Sequence, residues 1–192
     1  MFYTFAKVLF VFIFRLTLKV EVHGTENVPD DGKLVVCGNH QSNWDPLAIA
    51  AFFPRKISWM GKKELFENKI LKTIVTWLGV FPVDRQIADV SAVKTALRIL
   101  KDDRVLGIFP EGTRVSGYDP ANAKSGVALL SMRANAPVLP VYVRSQYKLF
   151  SKLEIFIGKP ENYAEQFPGK HDNEKYEEIS QVILAKIYAL GG

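Results

Sequence analysis

His40 and Asp45 stand five residues apart in the segment Gly38-Asn39-His40-Gln41-Ser42-Asn43-Trp44-Asp45-Pro46. Imidazole exchanges protons near neutral pH. A carboxylate looping back to its ring would fix the tautomer and stabilise the imidazolium formed on proton abstraction. Such a pair suits a general base. Taken alone, it favours a structural role, with Asp45 capping a helix and His40 satisfying turn hydrogen bonds. A second cluster, Phe109-Pro110-Glu111-Gly112-Thr113-Arg114, sets a carboxylate and a guanidinium at a turn that Gly112 allows to be sharp. A guanidinium fork matches phosphate oxygens, so Glu111 and Arg114 could position a polar substrate. An ordinary ion pair at a surface turn would leave the same trace. A third cluster, Gly79-Val80-Phe81-Pro82-Val83-Asp84-Arg85, also ends on a charged pair. A fourth, Ala136-Pro137-Val138-Leu139-Pro140-Val141, carries no reactive side chain and would contribute shape.

These clusters need elements to hold them. Short apolar or alternating runs predict strands over residues 20–23, 34–37, 56–60, 80–83, 105–109, 138–143 and 153–157. Pro82 marks the fourth as an edge or irregular strand. Helical periodicity covers 66–78, 88–100, 125–134 and 173–189, and Asp45-Pro46 opens another helix reaching residue 53, with the aspartate as cap. Alternating strands and helices argue for an α/β fold, a mixed, mostly parallel sheet flanked by helices. Each charged cluster then falls at a strand end, where open α/β sheets present side chains into a crevice.

The chain has 192 residues, 48% of them hydrophobic, enough for one sizeable core. One cysteine, Cys37, excludes an intramolecular disulfide framework or a Cys-rich metal site. Three histidines (His23, His40, His171) argue against a His-rich one, so no metal is expected. Alternation along the strand turns Cys37 away from His40, which makes it a core residue rather than a nucleophile. The net charge of +5 suits an anionic partner: nucleic acid, a membrane surface or a phosphorylated substrate. Nucleic acid is disfavoured because no motif for it occurs and the charge is patchy. Residues 55–72 hold six basic and two acidic side chains, whereas 161–178 hold six acidic and two basic ones. No G-x-S-x-G elbow, P-loop or dinucleotide fingerprint is present.

Residues 1–19 form an element of their own. They carry Lys7, Arg15 and Lys19, no acid, and a series of phenylalanines. Their longest run without charge covers residues 8–14, far short of the roughly 20 apolar residues of a membrane span. An amphipathic helix at the bilayer interface is the expectation, followed by a single domain over 20–192.

The four clusters, in this order, resemble the glycerolipid acyltransferase family, and within it the 1-acylglycerol-3-phosphate acyltransferases. The family pattern is NHxxxxD, GxxFxDR, FPEGTR and a Pro-containing apolar strand. Here these are residues 39–45, 79–85, 109–114 and 137–141; the second departs from the pattern over Phe81-Pro82-Val83 and keeps Asp84 and Arg85. The resemblance implies that His40 deprotonates the free hydroxyl of a lysophospholipid, which attacks the acyl thioester directly, with Asp45 holding His40. It implies that Arg85, Glu111, Gly112, Thr113 and Arg114 bind the acceptor's glycerol phosphate. Lys62 and Lys63, in a stretch similar to a basic one in the family, join them, and Lys124 is a weaker candidate. It further implies membrane lipids as partners, lysophosphatidic acid as acceptor, and acyl-CoA or acyl carrier protein as donor. No other cofactor is implied, and the location is the cytoplasmic face of the cell membrane, peripheral or monotopic.

Overall fold

Residues 34–38, Leu-Val-Val-Cys-Gly, carry no polar side chain, so a strand made from them must be covered on both faces. In the computed structural model, which describes residues 2–84 and 89–192, they form β2 (Leu34–Gly38), buried throughout. It lies at the middle of a seven-stranded sheet of order β1-β7-β6-β2-β5-β3-β4. The other strands are β1 (Lys19–His23), β3 (Ile57–Lys62), β4 (Phe81–Val83), β5 (Val105–Ile108), β6 (Val138–Ser145) and β7 (Lys152–Ile157). All neighbours pair in parallel except β6 and β7, which run antiparallel. The sheet is thus mixed and mostly parallel, as the alternation of elements predicts. β4, with Pro82 at its centre, lies at an edge, where a missing N–H costs least.

Among the described residues, seven α-helices accompany the sheet: α1 (Phe2–Thr17), α2 (Asp45–Phe52), α3 (Lys69–Trp77), α4 (Val90–Lys101), α5 (Gly126–Arg133), α6 (Tyr163–Gln166) and α7 (Asn173–Ala189). Side chains alternate along β2, and each face meets its own core. Leu34 and Val36 pack with Phe14 of α1 and Ala48 and Ile49 of α2. Val35 and Cys37 pack with Ala96 and Leu100 of α4, Val127 of α5 and Ile183 of α7. Cys37 is therefore core, and burial pushes its thiol well up.

α3 is shorter than the periodicity over 66–78 predicts, because residues 63–66 form a separate 3-10 turn. Asn68 caps it, accepting from the N–H groups of Ile70 and Leu71. Gly79 closes it at φ +86°, donating to Thr76 O while Val80 N–H reaches Val75 O. Among the described residues, no helix is long and apolar enough to cross a bilayer.

Candidate active site

β2 ends at Gly38, and the turn that follows brings together three of the sequence clusters. A Cβ on Gly38 would lie 3.0 Å from Ile49 Cδ1 and 3.2 Å from Phe109 Cε1, so glycine lets α2 and the Phe109 ring close in. Asn39 is fully buried. Its amide donates to Val143 O at 2.9 Å and accepts from Val143 N–H at 2.7 Å, tying the strand end to β6. A buried amide satisfied on both sides fixes the backbone on which the next residue stands.

That residue is His40. Its N–H donates to Glu111 Oε2 at 2.8 Å, and its carbonyl accepts from Val115 N–H at 2.8 Å. Its ring stacks on Phe109 with centroids 4.1 Å apart, and Phe109 stacks in turn on Trp59 at 4.9 Å. Gly107 leaves room for this pile, since a Cβ there would fall 2.4 Å from the Trp59 ring. Imidazole Nδ1 lies 3.5 Å from Asp45 Oδ2. This is ion-pair range rather than a formed hydrogen bond, and such contacts commonly tighten only when substrate is bound.

Asp45 does not cap α2 as its place before Pro46 predicts. The helix begins at Asp45 itself, and the carboxylate turns back so that Oδ2 accepts from the N–H groups of Gln41 (2.7 Å) and Ser42 (2.6 Å). Those two donors fold the loop around His40. The second oxygen, Oδ1, accepts from Tyr147 Oη at 2.8 Å. Tyr147 sits at φ +51°, a conformation that costs a bulky side chain about 1–3 kcal/mol. Burial pushes its phenol up, with the Asp45 charge and hydrogen bond adding to the effect, so the proton stays on Tyr147.

Glu111 is 1% exposed, and both of its oxygens are engaged. Oε2 takes the His40 N–H, and Oε1 accepts from Tyr188 Oη of α7 at 2.8 Å. Burial raises its carboxyl to about 7; the two donors pull it down and the nearby Asp45 charge pushes it up. Glu111 thus grips the backbone of the histidine from below.

Comparisons with known proteins converge on one family. A family profile described as Acyltransferase matches residues 19–144. A 1-acyl-sn-glycerol-3-phosphate acyltransferase from Bacillus subtilis is 34% identical over 152 residues, 76% of this chain and 75% of that protein. The chain belongs to the acyltransferase family. A Streptococcus pneumoniae protein of the same name is 34% identical over 73% of this chain, and a human alpha form 30% identical over 71%. The chain spans about half the length of these two relatives, 53% and 50%. The crystal structure of the acyltransferase PlsC from Thermotoga maritima shares the fold, with a TM-score of 0.70 over 98% of this chain and 78% of that one, at 24% identity.

The remaining residues singled out in this acyltransferase lie outside the buried knot. Gly112 adopts φ +67°, which turns Thr113 and Arg114 outward into solvent. Arg114 makes no ion pair among the described residues, and Lys124 packs beside the turn, donating its N–H to Pro110 O at 2.9 Å. Lys62 pairs with Glu64 at 3.3 Å and Lys63 with Asp84 at 2.6 Å. The Asp84 contact holds the Lys63 ammonium above its ordinary range. Arg85 lies outside the described residues. Sequence reasoning missed Asn39, Phe109, Tyr147 and Tyr188 as parts of the site. The first two sit inside quoted motifs, whereas the tyrosines reach it from 102 and 77 residues away and carry no local signal.

Proposed function

We propose that this acyltransferase moves a fatty acyl group from a thioester to the free hydroxyl of 1-acylglycerol-3-phosphate, yielding phosphatidic acid. The observation that carries the reading is the His40 imidazole held 3.5 Å from a buried carboxylate, in a chain whose relatives bear that activity in their names. With Nδ1–H directed at Asp45, Nε2 is the base. It takes the proton of the acceptor hydroxyl as the oxygen attacks the thioester carbonyl carbon. The tetrahedral adduct then collapses, the C–S bond breaks, and the imidazolium returns its proton to the departing thiolate. Asp45 stabilises the transient imidazolium. The step is a direct transfer between two substrates and calls for no cofactor; acyl-CoA or acyl carrier protein is the donor.

Arg114, with Lys62 and Arg85, binds the acceptor phosphate, a role suited to its exposed guanidinium. Glu111 works differently from a phosphate ligand, since its carboxyl is buried with both oxygens already engaged. Its role is to hold the His40 backbone. Replacing His40 by alanine lowers thiol release from acyl-CoA, in the presence of lysophosphatidic acid, by about 10²–10⁴-fold. Wild-type turnover in that variant would remove the mechanism.

The acceptor is a bilayer lipid, and α1 is the element that meets the membrane. Phe5, Val8, Phe12 and Leu16 form its outer stripe, each about two-thirds exposed, while Ala6 and Phe14 face the core. Lys7 is turned inward and donates to Phe53 O, leaving Arg15 and Lys19 as the cations exposed beside that stripe. The site faces the cytoplasm, where thioester donors are supplied. Because Phe14 and Leu18 belong to the core, the test uses Phe5→Ser with Phe12→Ser and Leu16→Ser rather than a deletion. This variant loses co-flotation with anionic vesicles; undiminished flotation would remove α1 from the membrane contact.

A further inference from the structure

α3 is a nine-residue helix in which Val75 alone is buried. Helices this short are marginal in water and persist where an apolar face is covered. Its apolar face is uncovered here. Ile70, Ile74 and Trp77 recur at i, i+4 and i+7 and are 74%, 40% and 54% exposed. Yet the helix is capped at both ends, by Asn68 and by the turn at Gly79, so it is a built element.

Two further features say what covers it. The first is continuity with α1. The Trp77 ring meets Phe2 edge-on at 4.6 Å, and an open trough of about 560 Å³ between the helices is lined by Phe2, Tyr3, Phe5, Lys56 and Trp77. A second trough, of about 450 Å³, runs on from Trp77 along Ile70 and Ile74. The second is charge. α1 and α3 contain no carboxylate, and Arg15 and Lys69 are exposed on them. Lys69 is exposed on one flank of the apolar stripe, and Lys56 lies 5.0 Å from the Tyr3 ring centroid at the trough. A tryptophan and two aliphatic residues bordered by lysines is the composition of a helix lying in the headgroup layer. There the ring sits at the interface, and ammonium groups reach lipid phosphates.

We propose that α3 is a second bilayer-docking element, which with α1 seats the enzyme on an anionic membrane surface. The proposal rests on the reading of this protein as an acyltransferase of bilayer lipids. It assigns to α3 the anchoring that α1 would otherwise perform alone. Two separated contacts also fix orientation, which a single helix free to rotate about its axis does not.

The test uses the full chain and sucrose-loaded vesicles of phosphatidylcholine, with and without phosphatidylglycerol. Ile70→Ser with Ile74→Ser lowers the partition coefficient by about tenfold or more on both vesicle types. Lys56→Ser with Lys69→Ser lowers it by about tenfold on the anionic vesicles and leaves the neutral ones unchanged. Val182→Ser, an apolar position on α7 about as exposed as Ile74, changes neither. In unmodified protein, lipids brominated near the headgroup quench a share of the fluorescence that disappears in Trp77→Phe, which reads the contact without any destabilising change. Wild-type partition in both double variants, or Trp77 emission untouched by the brominated lipid, would overturn the proposal. So would a change in oligomeric state of the Ile70/Ile74 variant without vesicles, which would make the face a protein–protein contact. Wild-type turnover of a short-chain lysolipid dissolved as monomers reports separately on the acyltransferase reading, because it needs no bilayer.

Discussion

Replacing Glu111 by glutamine tests whether this carboxyl serves the histidine backbone. The side chain is 1% exposed, accepts from His40 N–H and Tyr188 Oη, and has its pKa raised by burial from 4.5 to about 7. Between those values the folded chain keeps a proton that the unfolded chain has released. Stability therefore falls as pH rises from about 4.5 to about 7 and is level above. A displacement of that size corresponds to about 3 kcal/mol. Glutamine has the same shape and no charge. Its amide oxygen takes the His40 N–H, and its NH2 donates to Tyr188 Oη, which can accept as well as donate. Urea titrations of both proteins across pH 4.5 to 8 then show the wild type losing about 3 kcal/mol relative to Glu111→Gln. The lysolipid KM of the variant stays in place, because the carboxyl does not meet substrate. Parallel stability profiles would refute the burial argument, and a raised KM would return Glu111 to the phosphate site.

Other substitutions probe the rest of the site. Tyr147→Phe removes a hydrogen bond to a buried carboxylate and lowers stability by about 2 kcal/mol, read as a fall in Tm of about 6 °C. Its kcat falls with the loosened Asp45 while the donor KM holds; an unchanged Tm would mean that Asp45 does not depend on the phenol. Arg114→Ala raises the KM for lysophosphatidic acid by about 10–100-fold and leaves that for the donor unchanged. An unchanged acceptor KM would remove Arg114 from phosphate binding.

How far the chain could be read without coordinates differs by element. The limits of α7 coincide with its predicted span, because residues 173–189 carry a long helical period begun by a capping aspartate, Asp172. β4 is at the edge where Pro82 puts it. α6 escapes notice, since four residues are too few to show a period. The site divides along the same line. His40 and Asp45 are legible because their pairing is local, five residues along one loop. Asn39 with Val143, Tyr147 with Asp45 and Tyr188 with Glu111 join positions 77 to 104 residues apart, and only the folded sheet creates those contacts. The inward turn of Glu111 is likewise invisible in FPEGTR. The contact with Tyr188 of α7 holds the glutamate inside, and the turn at Gly112 leaves Arg114 exposed.

Incubating the purified chain with a mixture of lysophospholipids, together with acyl-CoA or acylated carrier protein, tests the central claim most directly. Products are read by mass spectrometry, beside the His40→Ala protein as control. The account predicts phosphatidic acid as the dominant product, carrying the donor's acyl chain at the free hydroxyl and absent from the control. Acylation of a different lysolipid in its place would contradict the assigned acceptor. No acylated product with either donor would contradict the catalytic role of the His40–Asp45 pair.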